Sequence, residues 1–220
     1  AGRDNLARSV NFLRRAGKKK TSIGTKLAMA FLSATDPARI RLLKRGMIDL
    51  GYRAQRLGHA MAKTFGLTQE TVRHPPASLG RPTVKAQVIH FLNKPMPANV
   101  PRRTARALLD IEDGATIPVI RDPNRAAEDS EAVFYFPGCG SERLFSQVGL
   151  ATQAMLWHVG ATIVLPPGYL CCGYPQTSAG EEDKGTMITT QNRVLFHRVA
   201  NTLNYLDIRT VIVSCGTCLD

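Results

Sequence analysis

The sequence predicts an α/β protein: a small parallel sheet built from strand–helix repeats, preceded by a mainly helical basic region. Three observations predict it. Strand-length apolar runs at residues 132–136 (AVFYF), 162–165 and 210–214 (TVIVS) alternate with helical stretches at 143–159 and 181–206. Charge divides the chain, with 19 Lys+Arg against 4 Asp+Glu in residues 1–100 and 10 against 13 in residues 101–220. All five cysteines lie in the last 82 residues, in the order C-x31-C-C-x42-C-x-x-C. We therefore expect two modules, a basic helical region over residues 1–130 and a cysteine-bearing α/β module over 131–220.

Asp4 is a plausible N-cap for a helix to about Ala16 that Gly17 stops, and Lys18-Lys19-Lys20 follows as a solvated charge run. A short helix is expected near residues 26–33. Asp36 as cap and Pro37 at the first helical position open a helix to about Phe65. Its apolar stripe is Ile40, Leu43, Met47, Leu50, Ala54, Leu57, Met61 and Phe65, at spacings of three and four. Gly46, Gly51 and Gly58 weaken that helix, which close packing of another backbone would explain. Residues 74–101 are proline-rich and read as extended connection around one short element at 83–91. A helix at 102–109, a strand at 116–120 and a polar linker at 121–130 lead into the second module.

In that module strand, helix, strand, helix, strand implies parallel pairing through right-handed crossovers, the pattern of Rossmann- and flavodoxin-like sheets. The long helix from 181 starts with Glu181, Glu182 and Asp183, a charge the helix dipole favours there. Each cysteine group follows the carboxyl end of one expected strand: Cys139 in PGCG, Cys171 and Cys172 in LCCGYP, Cys215 and Cys218 in SCGTC. In an open parallel sheet those ends share one edge, where ligands bind. Gly138, Gly140, Gly173 and Gly216 flank the groups and let backbone N–H groups approach an anionic centre.

No apolar run approaches the roughly 20 residues of a membrane span, and residues 1–20 lack the apolar core of a secretory signal. A reducing, cytoplasmic compartment is the expectation, and clustered cysteines there point to metal or redox chemistry. Four occupations compete. Iron–sulfur ligation uses several cysteine thiolates and N–H donors to sulfur. Structural zinc takes four thiolates but usually from two C-x-x-C knuckles. A redox dithiol explains CGTC alone. Inert buried cysteines are common in cores, yet these sit in Gly/Pro loops. Spacing and placement favour the cluster.

The motifs PGCG, CCG and SCGTC in this order resemble the cysteine-rich CCG domain of heterodisulfide reductase and glycolate oxidase iron–sulfur subunits. The stretches VFYFPGCGSERLFSQVGLATQAML and GYLCCGYPQTSAGEEDKG are similar to the C-terminal part of large bacterial FAD-linked oxidases of the D-lactate dehydrogenase kind. The resemblance covers about residues 132–220. It implies that Cys139, Cys171, Cys172, Cys215 and Cys218 ligate a [4Fe–4S] cluster, non-cubane in the heterodisulfide reductase relatives. It also implies FAD elsewhere in the full protein or complex, and partners in a flavin domain or subunit and further iron–sulfur domains. Electrons would pass to a quinone or another carrier. The alternative is thiol–disulfide catalysis at the cluster, and a third reading is a zinc-stabilised basic domain that binds nucleic acid. The opening without Met and the end two residues after Cys218 read as part of a longer polypeptide.

The five histidines show no ligand spacing, so His59, His158 and His197 read as core or surface residues. Ser141 and Ser178 have no recognisable His/Asp partners, and G-C-G lacks the third glycine and distal acid of a dinucleotide fingerprint. The basic half could meet an acidic partner domain or anionic lipid at the inner membrane face, as a peripheral protein. Nucleic acid is disfavoured, because Phe12, Phe31, Tyr52, Phe65 and Phe91 are too few and not interleaved with the charge.

Overall fold

A computed structural model describes residues 23–68, 91–125 and 130–219, with Ser9, Phe12, Leu13 and Val88. The helix expected over residues 4–16 and the element expected at 83–91 fall largely outside the described residues. Two compact units are present, residues 1–41 with 103–220, and residues 42–102.

The first unit is organised on β2, Ala132–Phe136, in which every residue is buried. β-branched and aromatic side chains suit a strand covered on both faces. It pairs in parallel with β3, Thr162–Val164, on one side and with β4, Thr210–Val213, on the other. β1, Val119–Ile120, adds an antiparallel edge, giving the order β1-β3-β2-β4. The architecture is thus α/β with a mostly parallel sheet. The strand expected at 116–120 forms over Val119 and Ile120, which join the three parallel strands because Val164 and Ile163 offer them a free ladder.

Alternation along β2 builds two cores. Val133 and Tyr135 pack with Ala161, Ile163 and Leu165 on one face, joined by Leu156 of α5, Ser146–His158. Phe134 and Phe136 pack on the other face with Val199 and Leu203, on and just after α7, Glu182–Thr202. Phe196 of α7 meets both phenylalanines edge to face, at centroid distances of 5.0 and 5.6 Å. A largely apolar cavity of roughly 330 Å³ opens between α7 and β4, lined by Phe134, Phe196, His197 and Val211 among others and by none of the cysteines.

Two further helices belong to this unit, α1, Ile23–Ser33, and α4, Ala105–Leu109. Thr104 caps α4: its side chain accepts from the Ala107 N–H at 3.2 Å and meets the Tyr169 hydroxyl at 2.6 Å. Thr104→Ala removes both contacts and is expected to cost about 1–2 kcal/mol, measured as a lowered urea midpoint.

From Pro37 the chain is helical through three consecutive segments: α2, Pro37–Leu43, a π-helical stretch, Lys44–Leu50, and α3, Gly51–Thr64. The helix is as expected, but beyond Ile40, which is buried, its buried face is not the apolar stripe. Leu50, Leu57, Met61 and Phe65 are 55–72% exposed, whereas Ile48, Gln55 and Ala62 are buried. Backbone accounting explains this within residues 42–102. The Gln55 amide donates to the carbonyls of Phe91 and Lys94 and accepts from the Met96 N–H, all at 2.8 Å. Arg56 donates to Pro97 O, and His59 Nδ1 lies 2.7 Å from Leu92 O. The described part of the proline-rich segment, residues 91–101, has no ladder of its own, so a polar helix face supplies its partners. Of the three glycines only Gly58 is closely approached, by the Leu92 side chain and not by backbone.

Candidate metal centre

The parallel pairing of β2, β3 and β4 brings the three cysteine-bearing loops to one edge of the sheet. Cys139 lies just beyond β2, ahead of a π-helical turn, Gly140–Leu144. Cys171 and Cys172 follow β3 and precede the short helix α6, Tyr174–Ser178, in a stretch that reads as loop from sequence. Cys215 caps and Cys218 ends a 3-10 turn, Gly216–Cys218, after β4. None is in a disulfide; Cys171 is buried, Cys215 is exposed and the other three are half-buried.

Their sulfurs form a row. Cys215 reaches Cys218, Cys218 reaches Cys172, Cys172 reaches Cys171 and Cys171 reaches Cys139. Cys139 stands at one end of the row. Accepting from Cys171 lowers its pKa, and the Arg143 guanidinium lowers it further, against the effect of burial. Donation to Cys139 pushes Cys171 up to about 11. Cys172 and Cys218 are raised in the same way, each by the neighbour it donates to and then by burial. Backbone N–H groups of Gly173 and Tyr174 reach the sulfurs of Cys171 and Cys172.

Two of the flanking glycines are required by this packing. At Gly138, φ +68°, an added Cβ would lie 2.9 Å from the Cys218 sulfur. At Gly173, φ +91°, it would lie 2.5 Å from the Gly185 carbonyl oxygen. Gly140 and Gly216 have open space where a Cβ would go, so close approach does not explain them.

A buried polar layer lies beneath the row. Arg106 donates from Nε to the Glu142 carboxylate and from an η nitrogen to Pro166 O at 2.7 Å. Burial raises the Glu142 pKa, opposed first by Arg106 and then by Arg143. Arg143 has 0% exposure, and its Nη1 donates to the carbonyls of Phe31 and Leu32 at the end of α1. Both guanidiniums stand against the Tyr169 ring, at 5.8 and 5.6 Å from its centroid. The Tyr169 hydroxyl donates to Glu112 at 2.7 Å, and burial holds its pKa well above the ordinary phenol range. Asn192 of α7 donates to Cys171 O at 2.7 Å, and Gln176 faces the Cys171 sulfur at 3.7 Å.

Sequence reading missed Arg143, Tyr169, Gln176, Gly185 and Asn192, whose roles depend on long-range contacts that no local motif signals. The residues it set aside have ordinary partners: His158 Nδ1 meets Arg125, and Glu181 pairs with Lys184 at 2.9 Å. Among the described residues no three His, Cys, Asp or Glu side chains gather around a point that a single ion would fill. Zinc needs four donors about one centre. A row of thiols from three loops instead suits a multinuclear centre, whose metals are shared among several sulfurs.

Residues 133–219, the whole stretch from β2 to the last 3-10 turn, match the cysteine-rich domain family CCG. This segment is similar to CCG domains. Over 86 residues the chain is 33% identical to the probable glycolate oxidase iron-sulfur subunit of Bacillus subtilis, covering 39% of this chain and 18% of that protein. It is 28% identical over 93 residues to an uncharacterized iron-sulfur protein of Methanocaldococcus jannaschii, covering 42% of this chain and 18% of the relative. A similarly named protein of Methanococcus maripaludis is 28% identical over 87 residues, 40% of this chain and 17% of the relative. The chain therefore aligns with under a fifth of the length of the curated relatives it matches. No solved structure matches it.

Proposed function

We propose that the CCG-like segment holds an iron–sulfur cluster on Cys139, Cys171, Cys172, Cys215 and Cys218 and serves as an electron-transfer module of a flavin-linked 2-hydroxy-acid dehydrogenase or oxidase. The observation that carries this is the unbroken row of five thiols from three strand ends, with backbone N–H groups directed at two of the sulfurs. Such a donor set fits a multinuclear iron–sulfur centre by its chemistry. The centre would be of the [4Fe–4S] type, in a non-cubane form if all five sulfurs ligate. When bound, it supplies one-electron uptake and release at the sheet edge.

The remaining parts are contributed by this chain's residues or by partners. The Gly173 and Tyr174 N–H groups and the Arg143 cation stabilise thiolate charge, and the buried layer excludes water from the inner side of the row. The name of the Bacillus subtilis relative, an iron-sulfur subunit of a probable glycolate oxidase, favours a partner subunit that oxidises the 2-hydroxy acid; FAD would lie in that partner, outside this chain, with further iron–sulfur domains relaying electrons. A quinone is the reading for the final acceptor. No helix among the described residues is long and apolar enough to cross a membrane. The net charge of +12 favours peripheral contact with an acidic partner or an anionic membrane face.

The exposed Cys215 favours a second reading, thiol–disulfide chemistry at the centre, because a disulfide substrate could reach its sulfur.

Anaerobic purification with iron and zinc analysis and EPR tests the proposal. Iron with acid-labile sulfide is expected, and Cys171→Ser or Cys215→Ser should each lower iron per chain severalfold. Stoichiometric zinc without iron would refute the cluster. An EPR signal that appears only on adding a disulfide would move the assignment to the second reading.

A further inference from the structure

We infer that Arg143 and Gln176 are positioning residues of this centre: a buried cation and a buried amide donor that face Cys139 and Cys171 and raise the reduction potential of the group these thiolates hold. The inference rests on the cluster reading above and assigns to two side chains a role that no motif in the sequence signals.

Arg143 lies one helical turn beyond Cys139, on the same face of that turn. It is wholly buried, and the charges of Cys139 and Cys171 both act on it, after burial itself and the Glu142 carboxylate. Its anchoring to two α1 carbonyls and to the Tyr169 face fixes where the charge sits. Burying a guanidinium this completely is costly unless negative groups face it. Neutral thiols answer that need poorly, whereas ligating thiolates answer it well.

Gln176 supplies the second, independent observation. Its side chain is 1% exposed, and its Nε2 has no hydrogen-bond partner among the described residues. Its Oε1 lies 3.7 Å from the Cys171 sulfur. A ligating Cys171 has lost its hydrogen and can only accept. The amide oxygen would then face an anionic sulfur, and turning the carboxamide over replaces it with the N–H donor that now lacks a partner. Asn192 holds the Cys171 carbonyl, so the sulfur stays within reach while the amide turns.

Both groups favour negative charge on the sulfurs. A centre that gains an electron becomes more negative, so donors and cations at its ligands stabilise the reduced form. Hydrogen bonds to sulfur and nearby charge are the levers that set such potentials.

The test is an EPR-monitored redox titration of the anaerobically purified protein and its Gln176→Leu, Gln176→Glu, Arg143→Gln and Arg143→Lys variants, each with iron per chain measured. Gln176→Leu should shift the reduced-to-oxidised ratio at fixed ambient potential about tenfold toward oxidised, a midpoint about 59 mV lower for one electron. Gln176→Glu, which adds a negative charge, should shift it further. Arg143→Gln should lower the midpoint at least as much, and Arg143→Lys should restore most of the loss. Where Arg143→Gln fails to fold, the Gln176 pair decides, since leucine and glutamate are close to glutamine in size. Midpoints within twofold of wild type in that ratio, at unchanged iron, would overturn the inference and leave the cluster reading standing. Wild-type protein without iron would sink the reading and this inference with it.

Discussion

Replacing Arg106 with methionine is expected to destabilise the unit that carries the sheet by about 3–5 kcal/mol, measured as a fall in urea midpoint at unchanged slope. Arg106 is 1% exposed and lies inside the fold, with Glu142 as its carboxylate partner. Methionine fills similar space but leaves the Glu142 carboxylate buried with a weaker counter-charge, and deprives Pro166 O of its donor. Burial already raises the Glu142 pKa, and Arg106 is the larger of the two opposing influences. Removing it raises that pKa further. A folded-state pKa above the unfolded value gives stability that is present at low pH and lost as pH rises through the folded value. The Arg106→Met deficit should therefore be largest at neutral pH and shrink on acidification toward about pH 4.3, the ordinary glutamate value. Adding Glu142→Leu should recover most of the loss at pH 7. If the double variant is no more stable than the single one, the stranded carboxylate is not the cause.

Gly173→Ala should be nearly as damaging, and its effect should reach the sulfurs directly. Holding a residue with a Cβ in the left-handed region costs roughly 1–2 kcal/mol, and forcing a methyl into filled space costs about 1–3 kcal/mol more. Here the methyl would meet the Gly185 carbonyl and then Thr189 Oγ1, and backbone cannot swing aside as a side-chain tip can. Gly185 is equally constrained, with Thr177 and the Gly173 carbonyl where its own Cβ would go. The loop after Cys172 and the first turn of α7 thus touch backbone to backbone. Displacing that contact moves the Gly173 and Tyr174 N–H groups that reach the sulfurs. A lowered melting temperature is expected together with loss of bound iron. Gly66→Ala is the comparison: Gly66 has φ +67° with nothing within 4 Å of an added Cβ, so it should show the conformational cost alone. Equal losses at the two sites would refute the packing argument.

What could be read from the sequence follows from what is local. The run AVFYF gave the central strand because five consecutive buried residues leave no other assignment, and its parallel neighbours followed from helix-length spacers. The convergence of the cysteine loops is a consequence of that topology. The apolar stripe from Ile40 to Phe65 misled, because periodicity shows that a helix has an apolar face but not that the fold covers it. What covers the other face is a segment held by Gln55, a residue that patterning scores as polar. Arg106 and Arg143 were equally hidden. A buried arginine is spelled like an exposed one, and only partners 36 and about 111 residues away distinguish it.

The row of sulfurs also sets an order of events as the chain folds. Tyr135 of β2 meets Ser214, just beyond β4, across a separation of 79 residues. Contacts that distant in sequence form late, because the entropy of closing a long loop is lost before the pairing compensates it. Cys139, Cys171 and Cys172 can come together once β2 and β3 pair, whereas Cys215 and Cys218 join only when β4 docks. A newly made chain therefore passes through a stage with three thiols in place and two absent. On the cluster reading proposed above, delivery of metal before β4 docks would find an incomplete set of donors, so the timing of strand addition would govern when loading can succeed.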